Sequence, residues 1–220
     1  MLFTSLTKDF FSLFLLTVVF LMPLTLFSQE YEKLKTGNDR FVKEQASQKD
    51  FGAQRTELLK GQHPYAIILS CSDSRVPPEY IFDESLGQLF VIRDAGNVAS
   101  AEVIGSIEYA VEHLHSKVLV VMGHDKCGAV NAAYEGGEAT PNIDVILKKI
   151  KPSIDKAKKK HSHKDDILLE ATKENAIAQI QTILRHSKLI NAEYKHKALK
   201  IYHAFYNLAD GKVEMIEYKD

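Results

Sequence analysis

The sequence predicts an α/β fold: a central, mostly parallel β-sheet of four parallel strands plus a C-terminal antiparallel edge strand, flanked by helices, with an N-terminal helical arm. Three observations predict it. Continuous apolar runs at 65–70 (YAIILS), 89–92 (LFVI) and 118–122 (VLVVM) have the character of strands buried on both faces. Segments with helical spacing of apolar residues lie between and after these runs, so strand, helix and strand follow one another in right-handed crossovers. Asp210-Gly211 stands between two further strand-like runs, 198–206 and 213–218, and marks a hairpin.

The elements follow in chain order. Residues 10–27 are apolar apart from Ser12, Thr17 and Thr25, and Lys8 is the one basic residue before position 29. Residues 1–28 therefore read as an export signal cleaved after the small Ser28. An uncleaved membrane anchor is the alternative, because 18 apolar residues just span a bilayer. The expected location is the periplasm or the exterior, or the membrane surface if the segment stays attached. Residues 29–220 form the folded domain. An amphipathic helix is expected at 31–47 with Gly37 as its weak point, and a short one at 55–60 before Gly61. His63-Pro64 admits no helix. A helix at 101–115 carries Val103, Ile104, Ile107, Ala110, Val111 and Leu114 on one face. Further helices are expected at 128–134, 143–159 and 167–189. The basic run 156–164 (KAKKKHSHK) reads as a solvated helix end and loop.

Composition sets the limits. A length of 220 residues suffices for one domain with a full core. A net charge of −1 gives no basic field for nucleic acid. Two cysteines are too few for a disulfide scaffold.

The chemistry gathers at strand ends. Cys71 follows the first buried strand and His124 the third, and open parallel sheets collect ligands outside the carboxyl ends of their strands. Cys127 lies three residues after His124, at the expected start of a helix whose dipole favours a thiolate. Cys, His and Cys suit zinc, and three protein ligands leave the fourth tetrahedral position open, which is the catalytic pattern. Zinc lowers the pKa of a bound water to about 7 and makes a hydroxide nucleophile at neutral pH. Asp73 and Arg75 share the loop after Cys71. The guanidinium keeps the carboxylate ionised, so that Asp73 accepts the hydroxide proton and turns a lone pair toward substrate. In an exported chain a Cys71–Cys127 disulfide is the alternative. It leaves His124 and the Asp73–Arg75 pair without a role.

These residues carry a resemblance. Cys71-Ser72-Asp73-Ser74-Arg75 and His124-Asp125-Lys126-Cys127-Gly128 resemble the two signature motifs of β-class carbonic anhydrases. Gly37-Asn38-Asp39-Arg40-Phe41, Gln62-His63-Pro64, Arg93-Asp94-Ala95-Gly96-Asn97 and Glu174-Asn175 resemble further motifs of the family. Asp94 stands where the family has Asn. The resemblance runs from about residue 31 to 218. It implies one zinc per chain on Cys71, His124 and Cys127, a catalytic dyad of Asp73 and Arg75, and reversible hydration of CO2 to bicarbonate and a proton. It also implies a substrate pocket of Gln62, Phe90, Ala95, Tyr109 and the Gly128 N–H, shared across the interface of a homodimer or homotetramer. From their position alone, Phe90 and Tyr109 read equally well as core packing and Gln62 as a loop residue. The alternatives are the same fold hydrolysing CS2 or COS, and a non-catalytic zinc- or anion-binding protein.

Overall fold

The apolar runs form the expected strands. A computed structural model describes residues 29–219, and the expected export segment lies outside the described residues. Strands β1 (Ala66–Ser70), β2 (Leu89–Arg93), β3 (Val118–His124), β4 (Lys200–Tyr206) and β5 (Val213–Glu217) make one sheet in the order β2-β1-β3-β4-β5. The first four are parallel and β5 returns antiparallel to β4, as the hairpin signal predicts. β1 and β3 are buried along their whole length. Their side chains alternate between two apolar layers. Ala66, Ile68, Val118, Val120 and Met122 face one layer. Ile67, Leu69, Leu119 and Val121 face the other.

Helices fill both layers. The first receives Leu34 from α1 (residues 29–42), Val130 from α5 (Gly128–Glu135), and Ile150 and Ile154 from α6 (Pro141–Ala157). The second receives Val103, Ile107 and Val111 from α4 (Ala101–Glu112) and Ile190 from α8 (Lys188–Lys195). The long α7 (Lys164–His186) serves both, with Ile167 and Ala171 in the first layer and Ile180 and Ile183 in the second. The remaining helices are α2 (Phe51–Leu58) and the single turn α3 (Pro78–Ile81).

Several boundaries differ from the expected ones, each for a local reason. The helix expected to reach 47 stops at 42, and Glu44 takes a positive φ of 56° that no helix continues. The short helix starts at Phe51 because the Asp50 side chain accepts from Ala53 N and caps it there. The helix expected over 167–189 is two helices. Ser187 adopts an extended conformation that ends α7, and its Oγ accepts from Ile190 N to open α8. Unforeseen α3 begins at Pro78, which is preorganised for a first helical turn. The basic run is a helix end, but three of its five lysines are paired: Lys156 and Lys160 bond Glu174, Lys160 bonds Glu170, and Lys164 bonds Glu135. These pairs tie α6 to α7 and α7 to α5.

The Gly37–Phe41 motif proves to be an anchor for α1. Asn38 Nδ2 donates to Ile81 O and Gly211 O, and its Oδ1 accepts from Val213 N. Arg40 joins Lys49 and Ser47 around the buried carboxylate of Asp83. Burial pushes that carboxyl upward, but the Lys49, Arg40 and Ser47 donors outweigh it and hold Asp83 well below the usual carboxylate range. Gly37 is no weak point. A Cβ there would lie 1.9 Å from Phe82 O, so only glycine lets α1 sit this close. Ordinarily Gly→Ala inside a helix stabilises by about 1 kcal/mol. Here the sign reverses: Gly37→Ala is expected to lower the unfolding free energy by about 1–3 kcal/mol in urea titrations.

Candidate metal centre

The sheet register brings the candidate ligands together. Ser70 of β1 pairs with Met122 of β3, so Cys71, one residue past β1, emerges beside the end of β3 at Gly123-His124. Cys127 returns to the same point as the N-cap of α5. All three side chains are buried, and their ligand atoms lie within 4.8 Å of one another. The two Sγ atoms are 4.0 Å apart. Zinc–sulfur bonds of about 2.3 Å at a tetrahedral angle place two sulfurs roughly 3.8 Å apart. A disulfide requires about 2.05 Å, and both cysteines are free thiols, so the disulfide alternative is set aside.

His124 is already oriented as a ligand. Its Nδ1 lies 2.8 Å from Asp125 O, so Nδ1 carries the proton and Nε2 keeps its lone pair. That buried Nε2 has no hydrogen-bond partner among the described residues. An orphaned acceptor next to two thiols is what a metal ligand looks like before it bonds. The thiols share protons unequally. The Cys127 S–H donates to Cys71, with the Gly96 N–H as a further donor, and these bonds hold the Cys71 thiol below its usual range against its burial. Cys127, as that donor and deeply buried, is pushed up. The donor set fits a soft divalent metal such as zinc.

Asp73 stands beside it. Asp73 Oδ1 accepts from Arg75 N at 3.0 Å and Arg75 Nε at 2.9 Å, and Oδ2 accepts from Arg75 Nη2 at 2.7 Å. This fork fixes Oδ2 3.9 Å from His124 Nε2. The Arg75 hydrogen bonds hold the Asp73 carboxyl well below the usual range, against a smaller opposing effect of burial. Arg75 also donates to Lys126 O, which ties the two signature loops together.

One contributor is missing from the sequence reading of roles. Arg93, at the end of β2, donates from Nε to Cys71 O at 3.0 Å and from Nη2 to Asp73 O at 2.5 Å. It clamps the loop between the two residues that matter most. Its signal was its place: an arginine ending the strand next to β1. The neighbouring Asp94 acts through its main chain. Its N–H donates to Ser70 O and its carbonyl accepts from Asn97 N, so Asp in place of Asn leaves the turn intact.

The expected pocket residues divide in two. Ala95 opens the 3-10 turn Ala95–Asn97 whose Gly96 N–H meets Cys71 Sγ, and Gly128 directly follows Cys127. Both are at the centre. Gln62, Phe90 and Tyr109 are not. Phe90 pairs with Ile67, four residues before Cys71, which is about 13 Å along a strand. Tyr109 packs on Phe90 with ring centroids 6.3 Å apart, and Gln62 precedes β1 at its amino end. Within one chain these three lie toward the far end of the sheet.

The fork makes a titration prediction. Asp73 carries a depressed pKa because of Arg75, so removing the cation must raise it. In 13C NMR of the metal-free protein, the Asp73 carboxyl is expected to titrate well below the ordinary Asp value near 3.9. In Arg75→Gln its midpoint is expected to move up into the ordinary carboxylate range.

The comparisons with known proteins agree with this geometry. The carbonic anhydrase family profile matches residues 66–213. A carbonic anhydrase of Mycolicibacterium smegmatis is 37% identical over 190 residues, which is 84% of this chain and 91% of that protein. Carbonic anhydrase 2 of Mycobacterium tuberculosis is 35% identical over 196 residues, 87% of this chain and 93% of that one. Among solved structures, a tetrameric β-carbonic anhydrase from the ascomycete Sordaria macrospora superimposes with a TM-score of 0.69 at 25% identity, covering 75% of this chain and 87% of that one. With both signature loops inside the matched span and the sheet of the same architecture, the chain belongs to the carbonic anhydrase family, in its β class.

Proposed function

We propose that this chain catalyses the reversible hydration of CO2 to bicarbonate and a proton, with one zinc ion held by Cys71, His124 and Cys127. The observation that carries the reading is the Asp73 carboxylate, forked by Arg75 and fixed 3.9 Å from the unpartnered His124 Nε2. Zinc held by these three residues would supply a nucleophile at neutral pH, since such ions lower the pKa of water to about 7. The protein contributes the rest. Asp73, held ionised, can only accept a hydrogen bond, so it fixes the direction of the nucleophile's proton and thereby of its lone pair. Arg75 keeps it ionised and aimed. In this reading the Gly128 N–H, at the positive end of α5, donates to the bicarbonate product.

Gln62, Phe90 and Tyr109 complete the pocket from a second copy in this reading. Support comes from the surface. β2 pairs only with β1 among the described residues, and its apolar side chains are only partly buried. Tyr109 is 48% exposed beside it. α2, which joins the loop before β2 through Gln54 and Leu86, buries none of its own residues. An apolar sheet edge left open in this way is a site for another chain. The solved relative from S. macrospora is tetrameric. In the same reading the apolar segment 10–27 is an export signal and the enzyme works outside the cytoplasm, or on the membrane if the segment is retained.

The test is stopped-flow CO2 hydration by the zinc-loaded protein against Asp73→Asn. The expected result is fast hydration that falls at least roughly 10²-fold in the variant. A rate equal to buffer from folded, zinc-loaded protein would overturn the reading.

A further inference from the structure

Glu174-Asn175 matches a family motif, and the proposed reaction gives Asn175 nothing to do. Its position is unusual. Asn175 is fully buried and Gln179, one helical turn on, is 2% exposed, both on α7. They form a chain of hydrogen bonds. Ala99 N donates to Gln179 Oε1 at 2.9 Å, Gln179 Nε2 donates to Asn175 Oδ1 at 2.9 Å, and Asn175 Nδ2 donates to Gly96 O at 2.8 Å. Both ends are main-chain groups, an N–H that can only donate and a carbonyl that can only accept. The direction of both amides in between is thereby dictated. The segment they grip delivers Gly96 N–H to Cys71 Sγ at 3.3 Å.

Gly96 needs that grip. It sits at φ 67°, ψ 23°, between Ile150 and Ala129, where a Cβ would come within 2.6 Å of Ile150 Cδ1. The Asn97 side chain adds no bond of its own to the turn: its buried Nδ2 has no partner among the described residues. A role in packing alone would be met by Leu and Met of similar volume. Buried amides cost about 1–3 kcal/mol each when unpaired, so placing two here makes the turn adopt the one arrangement that pairs them.

We propose that Asn175 and Gln179 are positioning residues of the metal centre: their relay from α7 fixes the Gly96 peptide against Cys71 Sγ and sets the donor strength of that one thiolate. An N–H bonded to a ligating sulfur stabilises its charge and draws density from it, and such outer partners govern metal affinity about 10–100-fold. The inference rests on the reading of Cys71, His124 and Cys127 as a metal centre.

The test substitutes Co2+ for zinc in the full chain and reads two quantities. One is the near-ultraviolet sulfur-to-cobalt charge-transfer band. The other is the rate of metal release to a chelator. Gln179→Met and Asn175→Leu keep the volume and break the relay, and Ile183→Val, in the apolar layer on the same helix, is the stability control. Both relay variants are expected to shift the band and to release metal about 10-fold faster or more, while the control changes neither. Relay variants with lowered melting temperatures but unaltered band and release rate would overturn the proposal and leave a merely structural pair. Should Asn175→Leu not fold, Gln179→Met decides alone, since it cuts the relay between Ala99 N and Asn175 and frees the Asn175 amide that holds Gly96 O. An unaltered chain that shows no cobalt–sulfur band would overturn the metal centre itself and the proposal with it. A normal band in the unaltered chain with identical variants overturns only the proposal.

Discussion

Ser70 lies opposite Met122 across the parallel pair β1–β3, and the position of the chemistry follows from that alignment. Cys71 leaves β1 one residue later, and His124 ends β3 two residues later, so their side chains meet without any long loop to bring them. The alignment is strongly specified. β1 and β3 are buried on both faces, and their side chains alternate between two separate helical layers. A slip of one residue would exchange every one of those side chains between layers. The energy that holds the ligands at one point is therefore mostly the burial of Ile67, Ile68, Leu69, Leu119, Val120 and Val121, none of which is a candidate ligand.

Around that point three elements restrict what remains mobile. Arg93 from β2 holds the carbonyls of Cys71 and Asp73, Arg75 bridges Asp73 to the loop before Cys127, and α7 holds the 95–99 turn. Each bond runs to the main chain of a loop, where few other contacts fix it. The charge follows the same economy. Asp73 has its one strong cation partner in Arg75, while His124 Nε2, 3.9 Å away, is left with an unshared lone pair. The centre is thus assembled with one buried acceptor, His124 Nε2, aimed and unsatisfied, a state that is costly in a buried site unless a cation occupies it.

Much of this was legible in the sequence, and the exceptions have physical causes. Runs such as VLVVM are apolar at every position, so neither helix nor half-exposed strand fits them, and the sheet could be ordered from the helices between. The ligands announce themselves because Cys and His at strand ends have few other uses. Boundaries set by capping were harder. Ser187 divides one expected helix into two through a single bond to Ile190 N, against an apolar pattern that runs straight through it. Gly37 looked like a flaw in α1 because its reason, the Phe82 carbonyl, is 45 residues away in the chain. Asn175 and Gln179 bond a turn about 80 residues earlier, and a lone buried amide on a helix has no local signature. Phe90 and Tyr109 show the limit of another kind. Their adjacency is visible within the chain, but any use at the metal centre depends on a surface that a second chain would have to meet.

The central claim is that Cys71, His124 and Cys127 bind one zinc ion and leave a position open. Zinc K-edge X-ray absorption of the protein loaded with one equivalent of metal tests it most directly. The expected inner shell has two sulfur atoms at about 2.3 Å and two nitrogen or oxygen atoms at about 2.0–2.1 Å, one from His124 and one from solvent. An inner shell without sulfur would contradict it, because the metal would then sit away from the two cysteines.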